Sequence, residues 1–382
     1  MKYLLALLTA FVLVPTMRPI DTFAQISLDD CDCDVCGGSG CDADGNCCYS
    51  DGELYFDVRV GAMRQQRGTF QLGKITEDSN DLDAGQHVTY AEPGFDVGGD
   101  GINVELVAGK VLNSCWSVEG RFAYMSLDER GSFALEDLDD IPFQTGGGGF
   151  WIPFIDASAP EHGRGIFGMR LRNNINVDYT YDSNWCDFGA DFVHHLVGDD
   201  CRRIDLIVGP SFANIDQQFQ HLTTGDWNGP QQTSNVQENL NEWFYGAKFA
   251  LRGERFVSPR LSLVGGLTAN AYYHRADFDG SQFLDTAGAL DDTYNVAVSD
   301  STDNFAARLG LDAGLNYQLS QCVKFGFLYR LESWHNVSSV VNPDLTMLYD
   351  DGDNRWTGDE AAHLVDDQAV THAIMATIEW TR

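Results

Sequence analysis

Apolar and polar residues alternate along much of this chain. In the stretch 261–273, for example, Leu263, Leu267 and Tyr273 fall on one side of an extended strand, whereas Thr268 and Asn270 fall on the other. Successive residues of a β-strand point to opposite sides, so this pattern predicts a wall with one apolar and one polar surface.

Ten segments share this alternation, and each is longer than the roughly 9–11 residues that a tilted strand needs to cross a bilayer. In the fourth segment we assign Ile175, Val177 and Tyr181 to the lipid side and expect a bulge near Ser183-Asn184. The segments lie at 53–66, 101–112, 115–127, 172–197, 201–217, 241–254, 259–275, 303–319, 321–336 and 369–381.

The connections between these segments alternate in length. Short ones lie at 112–114, 198–200, 255–258 and 319–321, and long ones at 67–100, 128–171, 218–240, 276–302 and 337–368. Bacterial outer-membrane barrels have short periplasmic turns and longer external loops. The sequence therefore predicts an all-β, antiparallel up-and-down transmembrane β-barrel of about 10 strands, within a range of roughly 8–12. In the alternative, a soluble β-sandwich, the same apolar rows would form a core.

The start of the chain resembles an export signal. Lys2 supplies a positive charge, an apolar run follows to Val14, and Thr22-Phe23-Ala24 fits a cleavage site. We therefore expect residues 1–24 to be a signal peptide cleaved near Ala24, 25–52 a Cys-rich periplasmic segment, and 53–382 a barrel in the bacterial outer membrane. The mean hydropathy of −0.23 fits a barrel, in which only alternate residues meet lipid.

The formal net charge of −33 argues against nucleic acid as a partner, because there is no basic surface to neutralise phosphates. Many carboxylates fall in the predicted loops 276–302 and 337–368. At a pore mouth they would concentrate cations, or they would hold divalent ions that bridge to anionic lipid. A third interpretation is that they only keep an exposed surface soluble.

Cysteine is concentrated near the start of the chain. In an exported protein, disulfides are favoured over a zinc site, either within the chain or to envelope partners, and the sequence does not give their connectivity. Asp42, Asp44 and Asn46 resemble half of a calcium loop, but the distal Glu is missing, so a polar turn is favoured. The disulfide candidates are Cys31, Cys33, Cys36, Cys41, Cys47, Cys48, Cys115, Cys186, Cys201 and Cys322.

Charged residues of both signs fall on the predicted lumen side of the wall. Two functions fit them: opposed charges in a water-filled channel, or ion pairs that plug a narrow barrel. The segment Gly146–Gly149, followed by Phe150–Phe154, fits a constriction, an extra hairpin or an external tip. The candidate pore-lining residues are Asp57, Arg59, Glu119, Arg121, Arg203, Asp205, Lys248, Arg252, Arg308, Asp312, Lys324, Arg330 and Glu332.

Nothing in the sequence nominates an enzyme. His194-His195 lie near a predicted periplasmic turn with no Ser-based triad apparent, and the Gly-rich runs are not followed by a helix that would make a phosphate loop. We therefore expect neither catalytic activity nor a cofactor.

Four stretches resemble the Legionella-type pore-forming outer-membrane protein family, which is also common in planctomycetes. They are VDYTYDSNWCDFGADF, RIDLIVGPSFANIDQQF, WFYGAKFALRGERFVSPRLSLVGGLTANAYY and FAARLGLDAGLNYQL. The resemblance covers about 53–382 and implies a single outer-membrane barrel with pore activity and no catalytic residues. One departure is that Trp380 is followed by Thr381-Arg382, where such barrels often end on an aromatic residue.

These observations favour a porin-like channel for passive diffusion of small hydrophilic solutes, weakly cation-selective. The alternative is a plugged structural or adhesive barrel that is crosslinked through its Cys-rich segment. Either protein would contact outer-membrane lipid, cations and the barrel-assembly machinery.

Overall fold

The described residues of the computed structural model are 52–71, 74–77, 88–91, 94–113, 115–135, 149–153, 168–171, 173–199, 202–226, 231–258, 260–285, 293–320, 322–340, 347–350, 355–358 and 364–382. They form β1 (Leu54–Gln71), β2 (Lys74–Glu77), β3 (Val88–Ala91), β4 (Gly94–Asn113), β5 (Trp116–Leu135), β6 (Gly149–Pro153), β7 (Gly168–Leu171), β8 (Asn173–Asp199), β9 (Arg202–Asp226), β10 (Gln231–Ser258), β11 (Leu261–Asp285), β12 (Thr293–Ser320), β13 (Val323–Val340), β14 (Met347–Asp350), β15 (Arg355–Gly358) and β16 (Leu364–Thr381).

Ten of these strands close into an antiparallel barrel in the order β1-β16-β13-β12-β11-β10-β9-β8-β5-β4. The first and last strands pair directly, from Tyr55 opposite Thr381 to Gln66 opposite Val370. The predicted ten-stranded, all-β, up-and-down fold is confirmed. Among the described residues there is no helix long and apolar enough to cross a membrane.

The two ends of the barrel differ. At one end, here named the turn end, short turns join β4 to β5, β8 to β9, β10 to β11, and β12 to β13. Leu54 and Arg382 also meet there, each backbone N–H donating to the other residue's carbonyl oxygen. The other connections are at the opposite end, the loop end.

The outer face of the barrel carries an apolar belt next to the turn end. Large apolar side chains such as Leu267, Phe249 and Leu309 are more than half exposed there. Aromatic rings border the belt, with Tyr317 and Trp380 near the turn end and Tyr245 and Tyr273 on the other side. An apolar outer band flanked by aromatic girdles identifies a transmembrane barrel.

The barrel continues well beyond this belt. Strands β8 to β12 contain 25–28 residues each, roughly twice the number that a bilayer requires. Past the belt, most outward positions are polar, as at Asn241 and Asp277, which lie opposite each other on β10 and β11, and Leu222 and Phe283 are exceptions. We call this part the extension.

The assignment of Ile175, Val177 and Tyr181 to the lipid side is wrong. These three side chains point into the lumen and are almost fully buried, while Asn174 and Asn176 face outward. This part of β8 belongs to the extension, where the outer face meets water and the lumen face packs in an apolar core. The apolar face of a strand therefore changes from outward to inward where the strand leaves the belt.

Two further expectations are corrected. β8 is one continuous strand, and its register shifts lie between Asn173 and Asn176 and between His195 and Val197, not near Ser183-Asn184. Asn174 has a φ of 52°, a left-handed conformation that Asn tolerates better than most residues. The predicted loops 218–240 and 276–302 are mostly strand, since only 227–230 and 286–292 separate the paired strands there.

Short strands form two small sheets at the loop end. β3, β2, β6 and β7 form a four-stranded sheet in that order, and β14 pairs with β15. The backbone of Gly149–Pro153 is β6, which pairs with β2 and β7. Of the three interpretations of the glycine–aromatic segment, the extra hairpin therefore fits these residues.

The belt predicts how a new charge is tolerated on β12. Leu311→Arg places a cation near the middle of the belt and should destabilise the barrel by about 2–4 kcal/mol in lipid vesicles, because a charge at that depth is poorly solvated. Ser301→Arg, on the same strand in the extension, should change the free energy of unfolding by less than about 1 kcal/mol. Urea unfolding followed by tryptophan fluorescence measures both, and equal losses would place the belt elsewhere.

Candidate functional site in the barrel lumen

All thirteen charged residues singled out from the sequence point into the lumen, and each is in an ion pair. Five further carboxylates complete this ion-pair layer, which lies inside the belt. They are Glu105, Asp187, Asp191, Glu254 and Glu379. Whether the thirteen residues line a pore stays a prediction.

Several of these ion pairs cross the lumen. Arg308 on β12 contacts Asp187 on β8, four strands away around the ring. Arg330 on β13 lies 2.8 Å from Glu105 on β4, and Arg252 on β10 lies 2.7 Å from Glu119 on β5. Because these bonds join walls that are not neighbours, they fill the lumen instead of lining it.

A cavity of about 150 Å³ remains at the turn-end side of the ion-pair layer. It is lined by Asp57 and Arg59 on β1, Arg203 and Asp205 on β9, and Glu254 on β10, among others. Its size suits a few water molecules or a small solute, since a water takes up about 30 Å³ in the liquid.

Aromatic rings close the lumen at the height where the belt ends. Trp185 on β8 and Trp334 on β13 lie five strands apart in the ten-strand ring, on opposite walls, yet their ring centroids are 5.1 Å apart. Phe244 and Tyr272 pack on Trp334 at 5.4 and 5.7 Å. We call these four residues the aromatic plug. Apolar residues from nine of the ten barrel strands pack in the same cluster.

Polar groups next to the plug also bond across the lumen. Gln217 on β9 donates to Glu242 Oε2 at 2.7 Å and to the carbonyl oxygen of Ser338 on β13 at 3.2 Å. Arg67 on β1 donates to Gln217 Oε1 at 2.9 Å and lies over the ring of Trp185. Glu242 Oε1 is 2.9 Å from Nε2 of His274, although in a direction that does not suit a hydrogen bond.

Two titratable side chains in the extension are buried and have polar atoms that make no hydrogen bond among the described residues. Both ring nitrogens of His221 and Oε2 of Glu238 make no hydrogen bond. Burial raises the pKa of Glu238 from 4.5 to about 8 and lowers the pKa of His221 from 6.5 to about 4. Both groups are therefore neutral near pH 7 in the folded barrel.

A chain of hydrogen bonds near the turn end was missed by the sequence reasoning. Ser117 Oγ lies 2.8 Å from Nε2 of His195, and Nδ1 of His195 lies 2.7 Å from Oδ1 of Asp205. The three residues come from β5, β8 and β9, so no local motif could reveal them. The only signal in the sequence was that all three lie close to a predicted short turn.

Asp187 and Asp191 were also missed, and the cause can be traced. The sequence reasoning assigned sides only up to Tyr181, before the expected bulge, and named no lumen residue beyond it. In the structure the odd-numbered residues of β8 face the lumen along the strand, so both carboxylates meet Arg121 and Lys248, at 2.8 and 2.6 Å.

The other candidate sites are only partly within the described residues. Cys186 and Cys322 have free thiols, and Cys115 is buried beside the β4–β5 turn. Cys201, the six N-terminal cysteines and the calcium candidates Asp42, Asp44 and Asn46 lie outside the described residues, so the predicted disulfides there stay predictions. The described part of the chain holds no group of His, Cys, Asp or Glu suited to a metal ion.

The buried carboxyl of Glu238 predicts a pH dependence of stability. The folded state retains a proton that the unfolded state loses above pH 4.5, so stability should fall as the pH rises from 4.5 to about 8. Glu238→Gln should remove this loss, which amounts to a few kcal/mol at about 1.4 kcal/mol per pKa unit.

The apparent melting temperature of the barrel, followed by gel mobility with and without heating, measures this effect. His221→Gln is the matched control, because His221 weakens the fold only as the pH falls from 6.5 to about 4. Parallel pH profiles for the wild-type protein and Glu238→Gln would contradict the prediction.

No family model and no curated protein matches this chain. Among solved structures, it is similar to the outer membrane protease OmpT from Escherichia coli, with a TM-score of 0.42, 10% identity, and 89% of this chain and 100% of that chain covered. It is also similar to the toluene transporter TbuX of Ralstonia pickettii (TM-score 0.30, 8% identity, 87% and 90% covered) and to a major outer membrane protein from Thermus thermophilus (0.25, 12%, 86% and 99%).

All of these TM-scores lie below 0.5, so they assign neither a family nor an activity to this chain. The resemblance to the Legionella-type family stays a prediction.

Proposed function

We propose that this protein is an outer-membrane β-barrel whose lumen is closed, and that it anchors a rigid extension at the cell surface in a structural or adhesive role. The observation that carries this proposal is the contact of Trp185 with Trp334, which come from opposite walls and pack at 5.1 Å. Tryptophan rings that pack against each other from opposite walls obstruct the path that a solute would take through the lumen.

The ion-pair layer supports closure at a second level. Arg308 bonds to Asp187 across the lumen and to Glu332 on the next strand, and all three side chains are nearly inaccessible to solvent. Removing one partner of such a buried pair costs about 3–5 kcal/mol, because the other charge is left uncompensated. A solute would have to break these bonds to pass.

The extension supports the surface role. Its outward side on β8 to β12 presents rows of amide, hydroxyl and carboxylate side chains with few cations. One such row runs Asn184, Asp216, Asn241, Asp277 and Ser301 on five neighbouring strands. A surface of this kind suits hydrated, polar envelope partners, including divalent cations that would bridge it to anionic lipid headgroups.

A porin-like, weakly cation-selective channel is the second candidate. The 150 Å³ charged cavity at the turn end and the excess of carboxylates on the extension favour it. It requires the aromatic plug and the ion-pair layer to move aside, whereas the anchoring role requires neither.

Planar-bilayer recording distinguishes the two candidates. The folded wild-type protein should give no steady conductance steps. A double variant, Arg308→Ala with Trp334→Ala, removes one large side chain from each closing layer and should conduct, provided that its heat-dependent gel mobility shows a folded barrel. Leu309→Ala, on the lipid side of the same strand as Arg308, is the control and should stay silent.

Steady, cation-selective steps from the wild-type protein would overturn the closed barrel and favour the porin. If the double variant does not fold, the wild-type recording alone still decides between them.

A further inference from the structure

The outer surface of the belt carries an apolar groove where β9 to β13 face the lipid. Its volume is about 610 Å³, and its lining includes Leu206 on β9, Leu267 and Ala269 on β11, and Leu309 on β12. Phe249 on β10 also lines it, and Phe249, Leu267 and Leu309 are each more than half exposed. The groove is therefore open to the hydrocarbon of the bilayer.

Three arginines lie at the turn end of the strands that form this groove. Arg202 on β9 and Arg255 on β10 lie directly opposite each other in the ladder, and both are exposed on the outward face. Arg260, also exposed, follows in the turn from β10 to β11. Like charges that face each other across two strands repel, so this position favours an anion that contacts both arginines.

Carboxylates are scarce on this outward surface among the described residues. Asp199 on β8 lies opposite Arg202 on its other side. Glu254, next to Arg255 in the chain, points into the lumen instead, where it lies 3.2 Å from Lys324. In a chain with 57 acidic residues against 24 Lys and Arg, the outward face of β9 and β10 at the turn end is thus cationic.

A strip without side chains connects these arginines to the groove. Gly253 and Gly265 lie opposite each other on β10 and β11, between Arg255 and Leu251 along the outward face. A Cβ atom at either glycine would meet no atom closer than 3.5 Å, so the space outside the strip is open. A chain molecule can therefore run from Arg255 into the groove along the surface of these two strands.

The length of this path fits one leaflet of a bilayer. Arg255 and Phe249 are separated by six positions on β10, which corresponds to about 20 Å along a strand. A strand tilted by about 45° covers a depth of roughly 14 Å over that length, close to half of the roughly 30 Å hydrocarbon core. An acyl chain that starts at Arg255 would therefore end near Phe249.

We propose that this face of the barrel binds one anionic phospholipid. Its phosphate lies between Arg202 and Arg255, and an acyl chain follows Gly253 and Gly265 into the groove. Guanidinium groups suit this ligand because they donate pairs of N–H bonds to phosphate oxygens. Short turns of outer-membrane barrels face the periplasm, so the lipid comes from the inner leaflet.

Native mass spectrometry of the full chain, released from detergent micelles, tests the headgroup. The probes are palmitoyl-oleoyl phosphatidylglycerol and the phosphatidylcholine with the same acyl chains, offered in equal amounts. The wild-type protein should retain one phosphatidylglycerol at least about five-fold more often than phosphatidylcholine, and Arg255→Gln should lower this ratio about five-fold, as expected for one cation near an anionic headgroup. Lys110→Gln is the matched control and should leave the ratio unchanged, because Lys110 is an exposed cation at the same end of β4, four strands from β10.

A second pair of variants tests the acyl chain. Gly265→Leu fills the strip and should reduce the retention of both lipids. Ala108→Leu adds the same side chain to the outward face of β4 and should behave like the wild-type protein. Inorganic phosphate in excess should not displace the lipid, because it cannot occupy the groove.

Heat-dependent gel mobility must show that each variant is folded. If Gly265→Leu fails this check, the comparison of Arg255→Gln with Lys110→Gln still decides. Equal retention of the two lipids by the wild-type protein, or equal losses in Arg255→Gln and Lys110→Gln, would overturn the proposal. Displacement by inorganic phosphate would do the same. The groove lies on the outside of the barrel, so none of these results bears on whether the lumen is closed.

Discussion

The whole structure depends on the closure of one sheet. In hydrocarbon no water satisfies the N–H and C=O groups of a strand edge, so a membrane-spanning sheet must pair its first strand with its last. The β1–β16 ladder does this over twelve residue pairs, from Tyr55–Thr381 to Gln66–Val370. Once the ring is closed, every residue of every barrel strand faces either the outside or the lumen, and the two faces alternate.

What each face must be depends on height along the barrel. Inside the belt the outside is lipid, so leucine, phenylalanine and valine point outward and the ion pairs point inward. In the extension the outer face meets water, and the apolar side chains pack in the lumen, as Ile175 and Val177 do. Along a single strand such as β8, the face that carries the apolar side chains therefore changes from outward to inward, while the geometry of the strand does not change.

The lumen combines two ways of excluding water. The aromatic plug does so by packing, since rings from opposite walls meet at its centre. The ion-pair layer does so by satisfying charges against each other over long sequence distances, as Arg308 with Asp187 and Arg330 with Glu105 show. Near the turn end, the same packing of charged residues fixes Asp205 and so orders His195 and Ser117.

The sequence alone determined the fold class, the strand count and the positions of the four short turns, because alternation and turn residues act over a few neighbouring positions. It also identified charged residues of the lumen where the belt pattern was clear, as on β10, β12 and β13. It misjudged β8, because alternation shows that one face is apolar but not whether lipid or a protein core covers that face.

Only the tertiary structure decided which charges meet across the lumen, that Trp185 packs against Trp334, and that Ser117, His195 and Asp205 align. Those contacts join residues from 10 to more than 200 positions apart, such as His195 with Asp205 and Arg330 with Glu105. They depend on strand register and ring closure, which short-range pattern does not specify.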